Sequence, residues 1–196
     1  MSEALSRRTE RKTRQRAANR GAIVDAARRV ATREGTNELS LRAVAAEAGY
    51  APASVYEYFR NRAELVLALA AEDLGQAAKT LREASGGQAG AAKAVFDILK
   101  ASAALPAAAA TLEHDDVPAE AERVFNGKLI AVLTVFAEAS GRVPLKNRDE
   151  QADVVLLAAA AAGLAMLARA GRLKALGFEE AELLARLQKT FAPAAR

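Results

Sequence analysis

Leu41, Val44, Ala45 and Ala48 recur at i, i+3, i+4 and i+7, the spacing of one apolar stripe on a helix of about two turns. Ser40 stands where such a helix needs an N-cap, and Gly49 where it must stop, because glycine accepts a left-handed terminus without a Cβ clash. Pro52 suits the first turn of a following helix, whose early amides have no intrahelical partner. In that helix Val55 and Phe59, four apart, should pack inward, leaving Pro52, Ala53, Ser54 and Glu57 outward. Asn61 with Glu64 three residues on reads as a capping box that opens the next helix.

The same punctuation continues in both directions. A first helix is predicted from about Arg14 to Glu34, with Ile23, Ala27 and Val30 inward and Gly35 ending it. Downstream helices are predicted from Asn61 to about Ala84 and from about Ala89 to Leu105, stopping before Pro106. A short helix and loop should follow, then helices over about Ala119–Ala139 and Glu179–Phe191, the last with a Leu183, Leu184, Leu187 stripe. No β-branched alternating run of useful length occurs, so the chain is predicted to be all-α.

Residues 154–168 form an uncharged run of 15, bracketed by Asp153 and Arg169. A bilayer span needs about 20 apolar residues, so no membrane partner is expected. A helix apolar on all sides is instead buried all round, against its own core and against a second copy of the chain. Val155, Leu156, Ala159 and Gly163 of this run, with Leu183 and Leu187 of the last helix, are the expected dimer interface.

Charge separates the two ends. Residues 1–62 hold 13 Lys/Arg against 7 Asp/Glu, whereas the whole 196-residue chain is only +4, so the remainder is net acidic. Seven of the basic residues (Arg7, Arg8, Arg11, Lys12, Arg14, Arg16 and Arg20) precede the first apolar stripe. Residues 1–15 are therefore expected as a disordered basic arm that follows phosphates or enters a minor groove, the alternative being a solubilising tail. The arm lacks the apolar stretch of a secretory signal. The chain has no cysteine, which excludes disulfides and Cys-ligated zinc and fits a reducing cytoplasm. With one histidine and no Gly-rich phosphate loop, no catalytic constellation, metal site or cofactor is expected. That lone His114, inside "EHDD", reads as a surface-loop residue.

A short helix, a glycine turn and a second short helix exposing small residues form the layout of a helix-turn-helix, which seats its second helix in the DNA major groove. A merely solvated face would more often be rich in Lys and Glu. The region from about Arg16 to Glu72, with "IVDAARRVATREG", "LRAVAAEAG" and "SVYEYFRNRAEL", resembles the N-terminal domain of TetR-type (TetR/AcrR) transcriptional regulators. The resemblance implies an N-terminal three-helix DNA-binding domain, residues 16–62, and a C-terminal helical effector-binding and dimerisation domain, residues 63–196. It also implies that Ser40 and Arg42 touch a phosphate and a base, and that Pro52, Ala53, Ser54 and Glu57 face the groove. Tyr56, Tyr58 and Arg62 match positions that clamp the DNA backbone. Ala51 departs from the pattern: relatives often carry a capping Ser or other polar residue there, and the change removes a possible phosphate contact.

Residue chemistry is compatible with those roles. Tyrosine hydroxyls on rigid arms fix register against phosphates without carrying sequence information, although Tyr56 and Tyr58 also suit a partly buried supporting pair. Arginine offers guanine a bidentate fork. Glu57 can accept from a cytosine amine or repel non-cognate backbone. Phe96, Leu99, Phe125, Leu129, Phe136 and Met166 are the bulky residues of the middle helices and read either as plain core or as the lining of a cavity; the resemblance implies a pocket there for a small hydrophobic effector. The expected function is a homodimeric cytoplasmic repressor on a palindromic double-stranded operator, released by that effector, and not an enzyme. The alternative is an effector-independent architectural DNA-binding protein.

Overall fold

The computed structural model describes residues 2–84, 86–113, 116–143, 145 and 147–191, with side chains from residue 6 onward. Among the described residues every regular element is a helix. In order they are α1 (Ser2–Glu34), a 3-10 turn (Thr36–Glu38), α2 (Leu41–Ala48), α3 (Pro52–Tyr56), α4 (Arg62–Glu83), α5 (Gly87–Ala101), α6 (Ala104–Thr111), α7 (Ala119–Ala139), α8 (Arg148–Arg169), α9 (Arg172–Ala175) and α10 (Glu180–Thr190). His114 lies outside the described residues.

The arm expected to be disordered is helical from Ser2 onward and continuous with α1. Residues 19–34 are held by the core, so the costly nucleation step is already met and upstream turns need only propagation. Arg, Lys, Glu, Gln and Ala are good helix formers, and Gln15 Nε2 donates to Asn19 Oδ1 one turn on at 2.9 Å. Every described side chain from residue 6 to residue 18 is exposed.

Caps fix the other helix starts where the sequence marks them. Asn61 Oδ1 accepts from the Glu64 amide at 2.9 Å. The Glu64 carboxylate reaches back to the Arg60 amide at 2.8 Å, one residue earlier than the usual reciprocal bond. Asn147 caps α8 with the same geometry, accepting from the Glu150 amide at 2.9 Å. The helix predicted to run to Leu105 ends at Ala101, and α6 begins at Ala104 with Pro106 inside its first turn. There the missing proline N–H leaves no hydrogen bond unmade.

α4 is the spine. It starts at the helix-turn-helix and packs against α1, α5, α6 and α7, and its inner positions from Leu65 to Leu81 belong to one apolar core reaching from Ile23 to Leu187. α8 lies against α5, α7 and α10 on one side only. Val154, Leu157, Ala161 and Ala165 face that side, whereas Leu156, Met166 and Leu167 are exposed in the single chain. By length and composition α8 could cross a membrane, but its first turn carries Asp149 and Glu150 and its last Arg169. Arg142, its side chain almost fully buried, ties the α7–α8 connection to Gln88 of α5 and to the Phe191 carbonyl just past α10.

Candidate nucleic-acid interface and regulatory cavity

The helix-turn-helix is assembled from the residues that its apolar spacing selects. Val44, Ala45, Val55 and Phe59 have no exposed surface, and Leu41 is buried beside them. Ser40 caps α2 by accepting from the Ala43 amide at 3.1 Å. Its hydroxyl keeps a proton to donate to a phosphate. At the far end Gly49 is left-handed, with φ 71°. The Tyr50 amide donates to Ala45 O at 2.9 Å and the Gly49 amide to Ala46 O at 3.3 Å. This is a Schellman closure, which aims the chain sharply from α2 into α3.

Burying Val55 and Phe59 turns the other face of α3 to solvent. Pro52, Ala53, Tyr56 and Glu57 are exposed and Ser54 is half-buried. Arg42, on the first turn of α2, is exposed beside them. α3 itself is only five residues long, and Glu57 is its C-cap. Small side chains at its start let the backbone come close to base edges, and Tyr56, 52% exposed, projects from its end.

Two residues expected to clamp DNA are tied within the fold. The Tyr58 hydroxyl accepts from Asn19 Nδ2 of α1 at 3.1 Å, and the Arg16 guanidinium lies over its ring, 5.6 Å from the centroid. Tyr58 thus fastens α1 to the end of α3, while its hydroxyl proton remains for a phosphate. Arg62 donates to Leu39 O at 3.0 Å and to Thr36 O at 2.8 Å. That placement gives Arg62 a bracing role, holding the entrance of α2 against α4, while its exposed guanidinium keeps N–H groups for a phosphate.

Sequence spacing did not single out the α1 residues that secure this end of α3. Arg16 Nη2 donates to the Glu57 carbonyl at 3.2 Å, and Arg20 stacks over Phe59 at 4.7 Å from the ring centroid. Only the fold brings α1 within reach of residues some 40 positions later. Behind the pair, Glu47 of α2 receives Arg29 at 2.6 Å and Arg33 at 3.0 Å, both from α1. These hydrogen bonds hold the Glu47 carboxyl below its ordinary value.

In the second part of the chain, α4, α5, α7 and α8, with Leu105 of α6, border a half-open cavity of about 260 Å³. Its walls include Leu74, Val95, Ile98, Leu99, Leu129, Val132, Phe136, Val155 and Ala158, and every lining residue is apolar. Of the six residues named for a pocket, Leu99, Leu129 and Phe136 line this cavity. Phe96, Phe125 and Met166 do not. Phe96 is buried against Ala165 and Leu184, and Phe125 is taken up by the main core. Met166 points to solvent, 55% exposed, because its position lies on the outer face of α8.

Of the expected interface residues, Val155, Leu156, Ala159 and Gly163 are exposed and Leu183 is half-buried. A Cβ added at Gly163 would meet nothing within 4 Å, so that face is open in the single chain. Leu187 is a correction: it points into the chain's own core, because α10 turns its Leu184 and Leu187 stripe toward α5 and α8. Val155 and Ala159 line the cavity as well as the exposed face.

A small head built on α1–α3 carries a helix-turn-helix and is joined through one long helix to a helical body with an apolar cavity. Residues 23–69 match the family of bacterial regulatory proteins called the tetR family. Solved structures agree over nearly the whole chain. A TetR transcriptional regulator from Rhodococcus sp. RHA1 is 15% identical with a TM-score of 0.69, over 93% of this chain and 100% of that one. A TetR-family transcriptional regulator from Streptomyces coelicolor is 22% identical with a TM-score of 0.59, over 88% and 95%. The fatty acid degradation regulator FadR from Bacillus halodurans is 18% identical with a TM-score of 0.59, over 90% and 96%. No curated protein matches the chain. The helix-turn-helix head thus resembles the tetR family over residues 23–69, and the whole chain shares the fold of the TetR-type regulators named above.

Proposed function

We propose that the chain acts as a homodimeric repressor that leaves a palindromic operator when a small apolar molecule occupies the cavity between α4, α5, α7 and α8. The observation that carries this reading is the all-apolar cavity beside α4, the helix that also begins at the reading head. Leu74 and Ala77 of α4 line the cavity directly, so a molecule that alters its shape bears on the helix that orients α3. With no polar side chain in the wall, a sugar, nucleotide or free carboxylate would lose its hydration without compensation. A neutral hydrocarbon-like effector is favoured.

The exposed face of α8 supports a dimer. Leu156, Met166 and Leu167 form an apolar surface, and Gly163 leaves room for a second helix to approach closely. Two copies paired there would present two α3 helices to successive major grooves, about 34–36 Å apart. In this reading Arg42 and the exposed start of α3 read bases, while Ser40, Tyr56 and Tyr58 hold phosphates. An effector that weakens DNA binding by some factor must itself be bound more weakly by the DNA complex by the same factor.

The test is selection of bound fragments from the source genome, followed by titration of the selected duplex with neutral apolar compounds. Release of a palindromic fragment by at least one such compound is expected. A protein that binds every duplex alike, and that no apolar compound dislodges, would be an architectural binder instead.

A further inference from the structure

We propose that the apolar cavity of each chain is closed by Met166 of a second copy, carried over its mouth when two α8 helices pair antiparallel. This rests on the effector and dimer readings above, and adds the side chain that completes the site. The cavity is half-open, and Leu129, Val155 and Ala159 line it while also being exposed. An apolar molecule held by one chain alone would therefore keep part of its surface in water. Met166 does not reach the cavity of its own chain, yet more than half of it is exposed.

The outer stripe of α8 is built to meet itself. Its positions are symmetric about residue 161: Ala159 and Gly163 lie two residues either side, Leu156 and Met166 five, Val155 and Leu167 six. The small pair at the centre lets two helices cross closely, and bulky exposed residues flank the crossing on both sides. Charge selects the direction. Asp149, Glu150 and Asp153 outweigh Arg148 at the start of α8, whereas its last turn carries Arg169, with Arg172 and Lys174 just beyond. Antiparallel pairing sets each acidic end beside a basic one, and parallel pairing would set like against like.

The position of Met166 follows. At about 100° per residue, Val155, Ala159 and Met166 fall on the flank of the stripe beside the cavity, and Leu156 and Leu167 on the other. A two-fold axis between antiparallel helices matches like flank to like flank and reverses the direction along them. The partner's Met166 therefore arrives level with Leu156 but on the flank of Val155 and Ala159, across the mouth. Methionine suits that place, because its unbranched, polarisable side chain adapts to apolar ligands of differing outline.

The experiment titrates the full chain with N-phenyl-1-naphthylamine at a concentration where sedimentation shows dimers. Met166→Ala should weaken binding at least about tenfold, whereas Leu167→Ala, on the far flank, should change it less than about twofold. Mixed dimers separate a lid from a general loosening. Ala162→Phe fills its own cavity but keeps Met166 for its partner. Refolding it together with Met166→Ala should restore tight sites, about a quarter of the full number at equal input. No restoration, or equal losses from Met166→Ala and Leu167→Ala, would overturn the lid.

The chain has no cysteine, so Val155→Cys/Met166→Cys checks the position independently. These residues are eleven apart, about 16 Å along one helix, too far to bridge within a chain. Oxidation should link two chains covalently in the double variant and in neither single variant. Absence of that covalent dimer would overturn the antiparallel arrangement. A chain that stayed monomeric would sink the dimer reading and the lid together. If the unaltered dimer bound no fluorophore, the effector reading would fail, and the cross-link alone would decide where Met166 lies.

Discussion

Arg28 of α1 donates through Nη1 to Oδ1 of Asp73, a buried carboxylate on α4, and thereby bolts the first helix of the reading head to the spine of the body. The other oxygen of Asp73 accepts from the Ser102 hydroxyl at the end of α5. The Ser102 carbonyl in turn receives Arg169 from the last turn of α8. One carboxylate thus joins three helices, and a fourth is one residue away.

Removing that carboxylate should be costly. Asp73→Ala leaves the Ser102 hydroxyl and a partly buried guanidinium without their acceptor. A loss of roughly 1–3 kcal/mol is expected, less than a fully buried pair would give because the Arg28 side chain is 44% exposed. Urea unfolding checks it. An unchanged midpoint would mean that the bolt contributes nothing to the junction.

Three residues of the head should separate by role. Arg42→Ala is expected to relax preference at one operator position by about 1–3 kcal/mol, seen by competition among single-base variants. Tyr56→Phe should weaken all duplexes alike by about 1 kcal/mol, as loss of a phosphate hydrogen bond does. Arg62→Ala should act on stability first, lowering the unfolding free energy by about 1–2 kcal/mol, seen as a lower urea midpoint, through loss of its bonds to Leu39 and Thr36. If Arg62→Ala left stability intact while abolishing DNA binding, the bracing role would be wrong.

The cavity can be filled. Ala162 lines it, and Ala162→Phe places a ring in the space without removing any polar contact. Binding of the neutral fluorophore N-phenyl-1-naphthylamine should fall at least about tenfold, while stability holds or rises by up to about 2 kcal/mol from the added burial. Undiminished fluorophore binding would place apolar ligands elsewhere.

Stability should also vary with pH at the α1–α4 junction. Partial burial raises the Glu72 carboxyl above its ordinary value, with Arg28 at 3.6 Å opposing the shift. A group raised in the folded state favours folding when protonated. Its contribution is fully present below the ordinary carboxylate pKa and is lost as pH rises through the folded value. Glu72→Gln should therefore narrow the fall in stability across that window. A variant whose stability varies with pH as the parent's does would remove Glu72 from the account.

Local chemistry was legible in the sequence, and contacts between distant segments were not. Ser40, Gly49 and Asn61 mark helix ends because caps are set by neighbours within a few residues, and each sits where its spacing implied. Asn147 with Glu150 repeats the Asn61–Glu64 signal at the start of α8. Pro106 misled, because proline ends a helix interior yet is tolerated in a first turn. The all-apolar stretch of α8 gave no phase, so nothing in it told Met166, which faces out, from Ala162, which faces the cavity. Asp73, Ser102 and Arg28 meet across 29 and 45 residues of chain, a distance no periodicity encodes.

The central claim is that two copies of α3 enter the major groove on one face of the duplex. Dimethyl sulfate protection of guanine N7 on a selected operator tests it most directly, since that atom lies in the major groove. The account predicts two protected patches centred about 10–10.5 base pairs apart, related by the operator's symmetry. Guanines equally reactive with and without saturating protein would contradict it.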